Sequence, residues 1–286
     1  MTGKFSRAFR IVKSCWKVLL LDKEILVFPL LSLITLGALL GVTVGPLWMN
    51  GELFTFLEAM SDSGEIEVEA RTIAVGFLAY FVTYFVIIFF NSALIACVSI
   101  RFAGGDPTVM DGLKAATQRL PLILAWALFT SSIGFILKML ESKNKGLMKI
   151  LISFLGAGWA IASYFAVPVL VAERAGPITA IKRSVSIIKK SWGETLIAEI
   201  GIAALSFLVF AVAFIFFMAG MVISETLFEF ALVLWATAFV WVVGSILVFA
   251  TLDSILRAAL YAYATEGRIP DSFDDELIAG AFAASE

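Results

Sequence analysis

Residues 104–117 read "GGDPTVMDGLKAAT". This polar stretch stands between two long apolar runs: a chain buried in an oily phase leaves it here, turns at Gly-Asp-Pro, and starts a short basic helix. Proline suits a turn or the first turn of a helix, where its missing N–H costs nothing. Glycine before it releases the backbone from the preceding helix. "ERAGPIT" and "TEGRIPDS" punctuate the chain in the same way further on.

The runs on either side decide the class. The chain of 286 residues is 61% hydrophobic and 15% charged, with a mean hydropathy of +0.99. A water-soluble domain carries about 25% charge, so the surplus apolar surface must face lipid. A span of the hydrocarbon core needs about 20 apolar residues. Six runs qualify, at about 25–45, 71–100, 120–140, 147–171, 194–223 and 228–263. The second, fifth and sixth exceed the required length and predict tilt or helical extension beyond the core. Alternating ten-residue segments of the kind that build β-barrels are absent. The expected fold is all-α: a polytopic membrane protein with six transmembrane helices. The first apolar run starts behind a long charged helix and is too long for a signal peptide's core, so it reads as a retained span.

Three segments between the spans resemble one another. In "FSRAFRIVKSCWKVL", Phe5, Phe9, Val12, Trp16 and Leu19 share one helical face, with Arg10, Lys13 and Lys17 on the other. In the opening stretch, Val109, Leu113, Ala116 and Leu120 do the same. In "ITAIKRSVSIIKKSW", Ile178, Ile181, Val185, Ile188 and Trp192 form a face that Lys182, Arg183 and Lys190 avoid. Such spacing marks amphipathic helices. Each precedes an odd-numbered span. The layout is therefore a unit of amphipathic helix, outward span and inward span, repeated in parallel at about 3–100, 107–172 and 177–263 and followed by a short acidic tail, 264–286. With both termini placed in the cytoplasm, only Arg71, Lys138, Lys143, Lys145 and Lys149 of the 21 lysines and arginines fall outside. The positive-inside rule favours that orientation, and the expected location is the cell (inner) membrane.

Ionisable or polar groups at membrane depth are candidate functional groups. Here they are Asn91, Glu199, Asp253 and Arg257. Asp253 and Arg257, four residues apart on one helix, are placed to pair. These groups would either lock spans together or form a transport or binding site. Arg10, Lys13, Lys17, Lys182, Arg183 and Lys190 are candidates for binding anionic lipid headgroups. Gly37, Gly41 and Gly45 repeat at the spacing that admits a close neighbouring helix, within the chain or from a second copy. Pro29 and Pro168 should kink or break their spans. The acidic run at Asp62, Glu65, Glu67 and Glu69 has no EF-hand spacing. The tail, with Leu277, Ile278 and Phe282, could dock a partner.

The chain has no histidine, and its two cysteines, Cys15 and Cys97, form no CxxC motif. No nucleotide, zinc-hydrolase or nucleophile-elbow motif is present. No catalytic residue, cofactor, metal or nucleic-acid partner is expected. The readings that remain are a scaffold or lipid-associated component at the inner leaflet, and a transporter or channel for a small or lipid-like solute.

"FSRAFRIVKSCWKVLLLDKEILVFP", "NSALIACVSIRFAGGDPTVMDGLKAA", "VPVLVAERAGPITAIKRSVSIIKKSWGE" and "AALYAYATEGRIPDSFD" together resemble a family of uncharacterised prokaryotic membrane proteins known by a domain-of-unknown-function label. The third stretch is more distantly similar to the membrane domain of glycerophosphodiester phosphodiesterases. Phe9 and Ala8 stand where the family pattern has Trp and Gly. The resemblance implies a six-span protein of the prokaryotic cell membrane and assigns no catalytic residue.

Overall fold

A computed structural model describes residues 2–51, 70–267 and 273, with backbone only at 2–9, 44, 46–47, 70–72 and 190–198. Among these residues every regular element is a helix. They are α1 (Thr2–Leu21), a 3₁₀ turn (Lys23–Leu26), α2 (Val27–Met49), α3 (Ala70–Phe102), α4 (Val109–Gln118), α5 (Leu120–Lys143), α6 (Leu147–Ala162), α7 (Ala166–Glu173), α8 (Pro177–Ile223) and α9 (Phe228–Glu266). Six stretches are long and apolar enough to cross a membrane: Lys23–Thr43, Ile73–Phe102, Leu120–Lys143, Leu147–Glu173, Glu199–Ile223 and Phe228–Glu266. They coincide with the six expected spans. The protein is a multi-pass, all-helical membrane protein.

Proline places the breaks. It lacks the N–H for the carbonyl four residues back and collides with it. Pro29 points that defect at Ile25, inside the 3₁₀ turn. Pro168 points it at Tyr164, and there the fourth span divides into α6 and α7. The buried Ser184 hydroxyl accepts from the backbone N–H of Phe165 at 3.0 Å, satisfying a donor that the break sets free.

The opening stretch folds as a capped helix. Gly104 ends α3 at φ 83°, a left-handed conformation cheap only for glycine. Thr108 and Asp111 form a reciprocal capping box, which satisfies two orphan amides of the first turn. α4 then lies on α3 so closely that a Cβ at Gly112 would stand 2.5–2.8 Å from Phe28, Cys97 and the Ala93 carbonyl. Its inward face is therefore seated on protein.

The other two amphipathic helices keep most of their expected faces, with Val12, Leu19 and Ile188 buried, and depart from expectation at Trp16 and Ile178. α1 buries Ile11, Val12, Cys15, Val18 and Leu19 against α8 and α9, and it turns Trp16 outward at 43% exposure. The third segment buries Ala180, Ser184, Ile187 and Ile188, while Ile178 is exposed. It also runs without interruption into the fifth span, as one 47-residue helix. In the first two units a break separates the surface helix from its span. In the third nothing does, since no proline follows Pro177 within the helix.

Polar ties gather where the three units begin. Arg101 grips both carboxylate oxygens of Asp22, through Nε at 2.5 Å and through a terminal nitrogen, and reaches Asp106 at 2.5 Å. Arg119 donates to the Val171 carbonyl at 2.7 Å. Glu173 accepts from Arg183 and from the Tyr261 hydroxyl, each at 2.9 Å. α3 is the hub, packing against α2, α4, α5, α7 and α9. By contrast, a Cβ at Gly37, Gly41 or Gly45 would meet nothing within 4 Å among the described residues. The expected close intramolecular approach along this stripe is not formed by them. The acidic run 62–69 and the tail's Leu277, Ile278 and Phe282 lie outside the described residues.

Candidate functional site

Arg257 organises the polar interior. A terminal guanidinium nitrogen lies 2.9 Å from Asp253 one helical turn earlier, the pair expected from the spacing. The guanidinium carbon sits 4.4 Å from the centre of the Tyr164 ring, a cation–π geometry. Tyr164 donates its hydroxyl to Glu199 at 2.5 Å. One residue beyond Asp253, Ser254 donates to Asn91 at 3.0 Å. All four sequence-predicted residues thus belong to one locality. Glu199 and Arg257 meet through Tyr164, and Asn91 joins through Ser254.

The break in the fourth span makes this possible. Tyr164 lies in the linker between α6 and α7, at the carbonyl that Pro168 leaves without its usual donor. Sequence reading missed Tyr164 because its partners are 35 and 93 positions away. The signal was available: a tyrosine four residues before an intramembrane proline occupies the residue where the helix must yield.

Two cavities meet at Arg257. One, of about 570 Å³, lies among α3, α5, α6, α8 and α9, with Tyr84, Thr130, Trp159, Tyr164, Glu199 and Arg257 in its wall. The other, of about 440 Å³, lies among α2, α3 and α9, lined by Ser32, Asn91, Asp253, Ser254 and Arg257 between apolar residues. Arg257 and Asp253 retain 30% and 28% side-chain exposure, and these cavities are what they face. The Arg257 Nε is buried without a hydrogen-bond partner, although guanidinium groups held in an interior normally use their donors. The arrangement can therefore offer a partly exposed guanidinium, two carboxylates and aromatic faces to something small.

The basic candidates sit elsewhere. Arg10, Lys13 and Lys17 are exposed on α1, and Lys182 and Arg183 are exposed on α8, against which α1 packs. The side chain of Lys190 lies outside the described residues. Arg183 already has Glu173, whose carboxylate raises its pKa. Cys15 is wholly buried, and burial followed by the nearby Asp253 charge pushes its thiol up. Asp111 is held below the ordinary carboxylate range by the Thr108 hydroxyl and backbone N–H.

These features define a multi-pass α-helical membrane protein with a polar centre at the meeting point of two cavities. The chain belongs to a family of unknown function (DUF6159), whose model matches residues 70–271. No curated protein and no solved structure matches it, and nothing among these comparisons supports the similarity to the phosphodiesterase membrane domain.

Proposed function

We propose that the protein is a non-enzymatic component of the cell (inner) membrane, with both termini cytoplasmic, that admits a small solute to a polar site centred on Arg257. This is the transporter-like reading. It assigns the chain no cofactor and no catalytic residue. A scaffold would keep its interior polar groups for locking helices, as the Asp22–Arg101 contact does. At Arg257 the locking is incomplete. The observation that carries the reading is one partly exposed guanidinium forming part of two cavity walls. Such a group is costly to bury without a use.

The test needs no knowledge of the solute. Asn91→Cys and Ser163→Cys place a thiol in one cavity each. Native Cys15 and Cys97 are 0% and 1% exposed and provide a quiet background. A charged, membrane-impermeant thiol reagent applied to whole cells and to inverted vesicles should label both new cysteines from at least one side. Absence of labelling from either side, in protein that still folds, would mean a dry bundle and return the scaffold reading. Reporter fusions at the two termini should be active only as cytoplasmic fusions.

A further inference from the structure

We infer that the outer groove between α8 and α9 is a binding site for one anionic phospholipid, with an acyl chain in the groove and the phosphate at Lys13 and Lys17 of α1. The groove is a cavity of about 960 Å³ whose wall includes Trp16, Val209, Val233, Val240, Gly244 and Leu252. Along α9 the lining residues recur every three or four positions from Val233 to Leu252. Nineteen residues of helix extend roughly 28 Å, close to the hydrocarbon thickness of about 30 Å.

The walls ask for an apolar occupant. Thr237 and Ser245 line the groove, but their hydroxyls donate to carbonyls of their own helix, Val233 at 2.8 Å and Trp241 at 2.7 Å. The Trp241 indole donates across to the Val209 carbonyl of α8 at 2.9 Å. The two hydroxyls and the Trp241 indole on the wall are thus already engaged, and a hydrocarbon chain loses nothing by lying on them.

One end of the groove is charged. α1 packs across α8 and α9 and contributes Trp16 to the wall. Cys15 beside it and Leu252 belong to one buried cluster, which places this contact at the Leu252 end. Lys13 lies one turn before Trp16 and Lys17 directly after it, and both are exposed. Tryptophan suits the headgroup boundary, where its ring is apolar and its N–H is wet. Lysines there attract an anionic phosphate. Gly244 lies eight residues from Leu252, roughly 12 Å along the axis, near the depth where one leaflet's chain ends. A Cβ at Gly244 would meet nothing within 4 Å, so a larger side chain there fills the groove without colliding with protein.

The site does not depend on the central cavities, and its test reads differently. The full chain, purified and stripped of lipid in detergent, would be exposed to dioleoyl phosphatidylglycerol or dioleoyl phosphatidylcholine and weighed by native mass spectrometry. The wild type should retain one phosphatidylglycerol, at least about tenfold more strongly than phosphatidylcholine, as two lysines near an anionic group predict. The paired Lys13→Glu and Lys17→Glu substitutions should abolish that preference while leaving the residual phosphatidylcholine binding. Gly244→Leu should remove retention of both lipids with the helical circular dichroism unchanged. Equal retention of the two lipids by the wild type, or a Gly244→Leu protein that binds as the wild type does, would overturn the assignment. So would a wild-type dimer that Gly244→Leu dissociates, because the groove would then belong to a second copy.

Discussion

Leu252, Ile255, Leu256, Ala258, Ala259 and Leu260 on α9 are at most 4% exposed, whereas Val233, Phe239 and Val240 on the same helix are 62–69% exposed. Both sets are apolar side chains. They differ in what stands among the apolar residues. Toward the Leu260 end there are small residues and charges: Ala258 and Ala259 on α9, Ala93, Cys97 and Ser92 on α3, and the ion pairs of Arg101 and Glu173. Lipid tails are as apolar as leucine, so apolarity alone does not bring helices together in a membrane. Close backbone approach and polar contacts do. Toward the other end α8 and α9 pair mainly with each other, held by the indoles of Trp241 and Trp235 on α8 carbonyls at 2.9 and 3.3 Å. One end is a packed platform, and the other is a hairpin solvated by lipid. The Arg257 centre sits within the platform, so its geometry is held by packing while its cavities remain open.

Substitutions should separate the ends by size of effect. The largest belongs to the platform. Arg101→Leu strands the Asp22 carboxylate, whose side chain is only 6% exposed, and should cost about 3–5 kcal/mol, read as a large fall in the melting temperature in detergent. Adding Asp22→Leu should restore most of it; a double variant as unstable as the single would show that the contact is not what holds the platform. Gly112→Val comes next, at about 1–3 kcal/mol, because its Cβ alone already overlaps Phe28, Cys97 and the Ala93 carbonyl. At the hairpin, Trp241→Phe deletes one indole–carbonyl bond and should cost about 0.5–1.5 kcal/mol. Hydrogen exchange should quicken around Val209 and leave the platform unchanged.

How far the sequence announced this architecture follows from which forces leave a local mark. All-round apolar runs have no other home than lipid, so the six spans were legible to within a few residues. The Asp253–Arg257 contact was legible because helical spacing alone creates it. Glu199 was recognised as misplaced charge, but its partner was not, since Tyr164 reaches it only through the break that Pro168 imposes. The faces of α1 and of the start of α8 were legible at Val12, Leu19 and Ile188, which are buried, and missed at one position each for one shared reason. The pattern was aligned on the largest apolar residues, Trp16 and Ile178, which turn outward. The buried faces carry Ser14, Cys15, Ala180 and Ser184, because small residues are what let helices approach. The cavities and the groove left no mark in the sequence, since each is an absence shared among several helices.

A titration probes the platform's rim. The Asp111 carboxylate caps α4 with a depressed pKa. A depressed carboxylate stabilises above its unfolded value, about 3.9, and that contribution is lost as pH falls through the folded value. Asp111→Asn should therefore lower the melting temperature near neutrality, where the ionised cap contributes, and flatten the acid limb, so that variant and wild type converge at low pH. An unaltered acid limb would show that the capping box does not contribute.

The smallest expected effect tests the comparison hardest. Val240 is 69% exposed and Leu256 is 1% exposed, yet both are aliphatic residues on one helix. If burial among helices is the source of stability, Leu256→Ala should cost about 2–5 kcal/mol. Val240→Ala should stay within about 0.5 kcal/mol of zero, because lipid fills the space that the two methyl groups vacate and no cavity remains. In water the same truncation of an exposed residue would also be mild, but for a different reason, so the measurement belongs in bilayers as well as in detergent. Equal costs at the two positions would mean that the far hairpin is covered in the membrane by another helix, and the division into platform and lipid-solvated hairpin would not survive.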